Sequence, residues 1–142
     1  NPNRGDDSVG LAVARALEGR VPTGVEVVER DGEATRLIDT WAGATAVVLV
    51  DAVSSGAPPG TIHEIDARAT SVTPDMFSCS THSFGVAEAI ELSRALGSLP
   101  AAFIIFGVEG SAFDTGTGLS AEAEAAVEET VSRVLATISK LV

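Results

Sequence analysis

Two uninterrupted apolar runs limit what this 142-residue chain can fold into more than any other feature of its sequence. Residues 46–50 and 102–108 are each as long as a β-strand, and neither alternates between apolar and polar residues. Parallel strands that helices cover on both faces have this pattern, because neither face of such a strand meets water. The runs therefore predict a buried parallel sheet, and the helical patterns around them predict an α/β fold.

Helical periodicity marks the segments between and around these runs. Apolar residues recur at helical spacing in four segments: residues 9–18, 34–42, 83–96 and the stretch that follows Ser120. Two further strands are expected, at residues 25–28 and, at the sheet edge, at residues 61–65. The predicted fold is one domain over residues 1–142, with three layers: a mostly parallel, twisted sheet of about five strands with helices on both faces. Since an α/β domain usually begins with a central strand, we also expect a first strand upstream of residue 1.

Charge and cysteine content narrow the function classes. The chain has 20 acidic and 9 basic residues, so its net charge is −11. This negative charge opposes binding to nucleic acid or to anionic membranes. A soluble acidic surface is the simpler explanation of the charge. The single cysteine, Cys79, excludes an internal disulfide and a thiolate metal cage within the chain. No run reaches the roughly 18 apolar residues of a membrane helix, and we expect no leader peptide. We expect a cytoplasmic protein, and a monomer.

Three potential metal ligands fall where α/β proteins place their functional groups, beyond the carboxyl ends of strands and near helix N-termini. Asp7 precedes the first helix, Asp51 follows the apolar run 46–50, and His82 precedes the helix that is expected to start near Ser83. Oxygen and nitrogen donors suit a divalent first-row metal such as nickel, zinc, manganese or iron. Each residue also has a structural interpretation: Asp7 as a helix cap, Asp51 as an acceptor for backbone N–H groups, and His82 as a satisfied polar residue.

Other chemically capable residues have weaker support. Cys79 stands three residues from His82, but no third group is evident that would orient a nucleophilic pair. Residues 107–118 are rich in glycine, yet they lack the lysine of a phosphate-binding loop and are predicted to form an irregular rim loop. His63 is predicted to be solvated on an edge strand, and Trp41 to pack against the sheet.

Four segments of the sequence contain recognisable motifs. The first two are an acidic pair before a helix start, Asp6-Asp7, and an acidic residue that ends an apolar strand, in Val50-Asp51. The third is a Ser-x-His-x-x-Gly segment, Ser80-Thr81-His82-Ser83-Phe84-Gly85. The fourth is the strand end Gly107-Val108-Glu109, followed by the helix start Gly118-Leu119-Ser120. Together these segments resemble those of the hydrogenase maturation protease family, and the resemblance extends over essentially the whole chain. The family's leading glycine is absent.

The resemblance implies an endopeptidase that removes the C-terminal extension of a nickel–iron hydrogenase large-subunit precursor after nickel has been inserted. The family's metal-binding residues correspond to Asp7, Asp51 and His82, and the nickel is expected to arrive with the substrate. A family segment that is associated with recognition or cleavage corresponds to Asp31 and Gly32, although Glu33 and Ala34 replace its usual Gly-Thr. Asp31 as a turn residue is the structural alternative.

Several activities remain compatible with these residues. The metal could polarise the scissile carbonyl or activate a water molecule, or a carboxylate could act as general base in an aspartyl-type peptidase. A related peptidase of the same fold that cuts another protein would not depend on nickel. A non-catalytic binder or chaperone of the precursor would bind it without shortening it. A nucleotide-binding domain is opposed by the missing phosphate loop and by the acidic charge.

Overall fold

The computed structural model describes residues 9–27, 34–53, 56–70, 81–109 and 121–141. The elements in these residues are, in chain order, α1 (Val9–Leu17), α2 (Ala34–Trp41), β1 (Ala46–Val53), β2 (Ile62–Asp66), α3 (Thr81–Ala95), β3 (Ala102–Glu109) and α4 (Ala121–Leu141). The four predicted helices, the two apolar strands and the predicted edge strand are therefore confirmed. None of the helices in the described residues is long and apolar enough to cross a bilayer.

The described strands form a mixed sheet in the order β1-β3-β2. β1 pairs with β3 in parallel over its full length, from Ala46 opposite Ala102 to Val53 opposite Glu109. β2 is antiparallel to β3, with Ile62 opposite Val108. A cavity of about 520 Å³ runs along the other edge of β1, between α1 and α2.

The strand predicted at residues 25–28 is wrong for the part that the structure describes. Residues 25–27 belong to no strand, and the Val25 N–H instead donates a hydrogen bond to the Pro22 carbonyl at 3.2 Å. The chain turns here through Gly24, whose φ of 94° suits a residue without a Cβ. Within the described residues the sheet has three strands, so five strands in three layers stay a prediction.

Each face of the sheet buries its own core because side chains alternate along a strand. Phe103 and Ile105 of β3 pack with α2 and α3, in a cluster that also holds Leu37, Trp41, Val86 and Ile90. Ile104 and Phe106 point to the opposite face and pack with α1 and α4, where Val13, Leu17, Val131, Val134 and Ile138 are buried. Helices on both faces explain why the strand sequences are apolar without interruption.

Candidate active site at the carboxyl ends of the strands

Asp51 is a buried carboxylate inside β1, with 4% of its surface exposed. The sequence placed it just beyond the strand, but β1 continues to Val53, since the parallel pairing with β3 extends to Glu109. Asp51 shares the alternation of Leu49 and Val53, which belong to the α2/α3 core, so its side chain belongs to the same face. Burial of a carboxylate is unfavourable unless partners or a cation compensate it. The position of Asp51 therefore marks it as a functional candidate.

Helix α1 approaches the same strand end through its backbone. A Cβ atom on Gly10 would lie 2.8 Å from the Val50 carbonyl oxygen and 4.0 Å from the Cα of Asp51. Only glycine permits this approach, so the first turn of α1 lies against the carboxyl half of β1. Asp7 stands three residues ahead of Gly10 in the sequence but lies outside the described residues.

Helix α3 begins two residues earlier than predicted, so His82 is its second residue and does not precede it. Val86 and Ile90 of α3 pack on the face that also carries Asp51. Only residues 96–101 connect α3 to β3, so the helix runs back along the strand and its first turn lies toward the carboxyl end of β3. The side chain of His82 is outside the described part of the chain, as are Asp31 and Gly32.

The structure adds a hydrogen-bonded pair, His63 and Glu109, that the sequence did not reveal. Nε2 of His63 lies 3.0 Å from Oε1 of Glu109, and the two side chains are 34% and 2% exposed. His63 is thus only partly solvated, because Glu109 binds one side of its ring, and the assignment of residues 107–109 to a rim loop is wrong. Glu109 closes a buried apolar strand just as Asp51 interrupts one, and that shared pattern was the signal that could have identified it.

Asp51 and His63 occupy one row across the sheet, because Gly107 is opposite both of them. Two strand spacings separate their Cα atoms, a distance of about 10 Å. Gly107 contributes no side chain between them, and the Val53 side chain packs over it, since a Cβ on Gly107 would lie 2.6 Å from Cγ1 of Val53. Among the described residues, no three His, Cys, Asp or Glu side chains are close enough to hold a metal ion together. Convergence of Asp7, Asp51 and His82 thus stays a prediction.

Comparison with known proteins identifies relatives of this chain. Residues 11–137 match the sequence model of the HycI family, described as hydrogenase maturation protease. The hydrogenase expression/formation protein HoxM of Cupriavidus necator is 27% identical over 131 residues, which cover 90% of this chain and 65% of HoxM. The corresponding protein HupD of Thiocapsa roseopersicina is 26% identical over 73% of this chain and 48% of its own length. The chain thus spans between about half and two thirds of these relatives.

Solved structures share the fold. The hydrogenase maturating endopeptidase HybD from E. coli superimposes with a TM-score of 0.86 over 99% of this chain and 88% of HybD, at 24% identity. An endopeptidase from Escherichia coli gives the same TM-score and coverage at 26% identity. The family match extends over most of the sequence, including most of α1, Asp51, α3 and β3. The chain belongs to the hydrogenase maturation protease family.

Proposed function

We propose that this protein is the endopeptidase that removes the C-terminal extension of a nickel–iron hydrogenase large-subunit precursor after nickel insertion. Membership of the family supports the class of reaction. The single observation that carries the assignment of the site is the buried carboxylate of Asp51 near the carboxyl end of β1, beside the first turn of α1. Burial of a carboxylate costs free energy unless partners or a cation compensate it, and we assign Asp51 to the active site on this ground.

The proposed site combines Asp51 with Asp7 and His82. Asp7 is three residues from Gly10, the residue that contacts the end of β1, and His82 lies in the first turn of α3 on the face of Asp51. Two carboxylates and an imidazole are suitable donors for nickel or another divalent first-row ion. We propose that these three side chains engage the nickel that the precursor carries, so that cleavage depends on a correctly loaded substrate.

Recognition of the precursor would involve a second segment. Asp31 and Gly32 correspond to the part of the family sequence that is associated with recognition or cleavage, and they precede α2, which packs on the face of Asp51. We assign them to contact with the protein substrate around the scissile bond. An effect of Asp31→Ala on KM for the precursor, with binding of nickel unaffected, is the expected sign of this role.

Processing of a purified precursor tests the proposal directly. Nickel-loaded and nickel-free precursor are incubated with the wild type, and mass spectrometry measures the loss of the C-terminal extension. We expect cleavage only of the loaded form, and a loss of about 100-fold or more in rate for Asp51→Ala and His82→Ala. Equal cleavage of both precursor forms would overturn nickel recognition and favour a related peptidase of the same fold.

A matched control separates site effects from surface charge. Asp39→Ala removes an exposed carboxylate from α2 and is expected to process the precursor at the wild-type rate. Normal cleavage by Asp51→Ala would remove that carboxylate from the mechanism. A wild type that forms a stable complex with the loaded precursor but never shortens it would identify a chaperone or binder instead of an enzyme.

A further inference from the structure

We propose that His63 is a general acid–base residue of the peptide cleavage and that Glu109 positions its imidazole. This inference rests on the proposed endopeptidase function and assigns to that site a residue from the edge strand β2. Asp7, Asp51 and His82 would account for docking of the metal-loaded substrate. On this assignment the proton transfer at the scissile bond falls to a further group, and the His63–Glu109 pair at the carboxyl end of β3 is the pair that we assign to it.

The position of His63 is the first argument. His63 shares its row of the sheet with Asp51, on the same face, and Gly107 with the Val53 side chain packed over it lies between them. Its ring is directed toward Glu109, the last residue of β3, and thus toward the carboxyl end of that strand. At a backbone separation of about 10 Å, a peptide that is docked at Asp51 could lie within reach of both side chains.

The rigidity of Glu109 is the second argument. Its N–H donates to the Thr61 carbonyl and its carbonyl accepts from the Gly60 N–H, both at 2.8 Å. The backbone of Glu109 is therefore fixed on the segment that leads into β2. Its carboxylate is almost fully buried, whereas a third of the His63 side chain remains accessible. A buried carboxylate that orients a partly exposed imidazole is the arrangement by which a base is held for proton transfer.

The chemical step is a simple hydrolysis. A water molecule adds to the scissile carbonyl carbon while one of its protons passes to the imidazole of His63. The C–N bond then breaks, and the same proton moves to the leaving nitrogen. The products are a new carboxyl terminus and the amine of the released extension, and His63 returns to its initial state, so no further reactant is consumed.

Replacement of His63 with and without added imidazole tests this role. His63→Ala is expected to lower kcat for the nickel-loaded precursor by about 100-fold or more, with KM changed by less than about threefold. Imidazole in solution should restore part of the lost rate to His63→Ala. It should restore none to Asp51→Ala, and the wild type with imidazole gives the baseline for any effect on the nickel. Glu109→Gln should lower kcat less than His63→Ala.

Controls distinguish a catalytic role of His63 from a purely structural contact between β2 and β3. His63→Gln keeps a hydrogen-bonding group beside Glu109 but cannot transfer a proton, so it should fold like the wild type and lose as much kcat as His63→Ala. Glu64→Gln, an exposed neighbour on the same strand, should leave kcat unchanged. Near-normal kcat in His63→Gln, or a loss confined to KM, would overturn the inference and leave the proposed function intact. A wild type that cuts no precursor would overturn both.

Discussion

The two halves of one sheet face contrast sharply in this protein. On the α2/α3 face, β3 contributes Phe103 and Ile105 in its amino half and Gly107 and Glu109 in its carboxyl half. Strand alternation is the same throughout, and all four residues are buried. The amino half joins an apolar core, whereas the carboxyl half holds a buried carboxylate in the neighbourhood of Asp51. The contrast shows that one regular strand can stabilise the fold at one end and hold a buried polar side chain at the other.

The amino and carboxyl halves of this sheet face are expected to affect the stability of the fold in opposite directions. Each large apolar side chain buried in the amino half contributes about 1.5 to 3 kcal/mol to the free energy of folding. Carboxylates buried in the carboxyl half lose hydration, which costs free energy unless their partners compensate it. We therefore expect substitutions in the amino half to lower stability, and substitutions in the carboxyl half to lower processing of the precursor.

Phe103→Ala should produce the largest change in stability. The ring of Phe103 is fully buried and meets Trp41 edge-to-face, with the ring centroids 4.9 Å apart. Its removal leaves a cavity at the centre of the α2/α3 core, so the free energy of unfolding should fall by about 3 to 5 kcal/mol. Urea denaturation followed by Trp41 fluorescence measures this loss.

The matched variant for this contrast is Asp51→Asn, which keeps the shape of the side chain. It should change the free energy of unfolding by much less than Phe103→Ala, while it abolishes most of the processing activity. Phe103→Ala should retain processing at temperatures where it is folded. An Asp51→Asn variant as unstable as Phe103→Ala would remove the distinction between the two halves.

The apolar half was largely predictable from the sequence, and the reason is periodicity. Runs of apolar residues at 46–50 and 102–108 indicated covered strands, and helical spacing located α1 to α4 to within a few residues. Pairing between strands was harder, because register and direction depend on contacts between distant segments. Val25 and Val27 have apolar side chains, but the turn at Gly24 leads them along the α1/α4 core without strand pairing.

The polar half was predictable only in part. Asp51 could be identified because it interrupts apolar sequence, which is visible without coordinates. The pair between His63 and Glu109 could not, since 46 residues separate them and only the antiparallel register of β2 brings them together. Solvation was the natural assumption for a histidine in a strand with acidic neighbours. Tertiary pairing, and not local sequence, decides its environment.

Gly10→Ala should have the next largest effect, because the obstacle is backbone. Alanine gains up to about 1 kcal/mol of helix propensity over glycine. Its Cβ would approach the Val50 carbonyl oxygen to 2.8 Å, however, and a main-chain atom cannot move aside as a side chain can. Displacement of α1 from the end of β1 should cost about 1 to 3 kcal/mol and should also slow processing. Thermal unfolding and the precursor assay measure the two effects.

Gly107→Ala provides the comparison for this effect, since its obstacle is a side chain. A Cβ on Gly107 would meet Cγ1 of Val53 at 2.6 Å, so the second substitution Val53→Ala should restore much of the lost stability. No single side-chain truncation should rescue Gly10→Ala in the same way. If Gly10→Ala is as stable and as active as the wild type, close approach of α1 to the strand end is unnecessary for the site.

Ser93→Ala should have the smallest effect of this series, and it tests whether polar groups in the apolar half are purely structural. The indole N–H of Trp41 donates to Oγ of Ser93 at 3.1 Å, and both residues are buried where α2 packs on α3. Loss of the hydroxyl leaves the indole donor without this acceptor, so the free energy of unfolding should fall by about 1 to 2 kcal/mol with processing unchanged. In the double variant Trp41→Phe/Ser93→Ala the loss should be smaller than the sum of the two single losses, because no buried donor is then left unsatisfied. Strict additivity of the two single losses would show that this hydrogen bond does not couple the two helices. Slower processing by Ser93→Ala at unchanged stability would show that Ser93, like the residues of the polar half, contributes to processing.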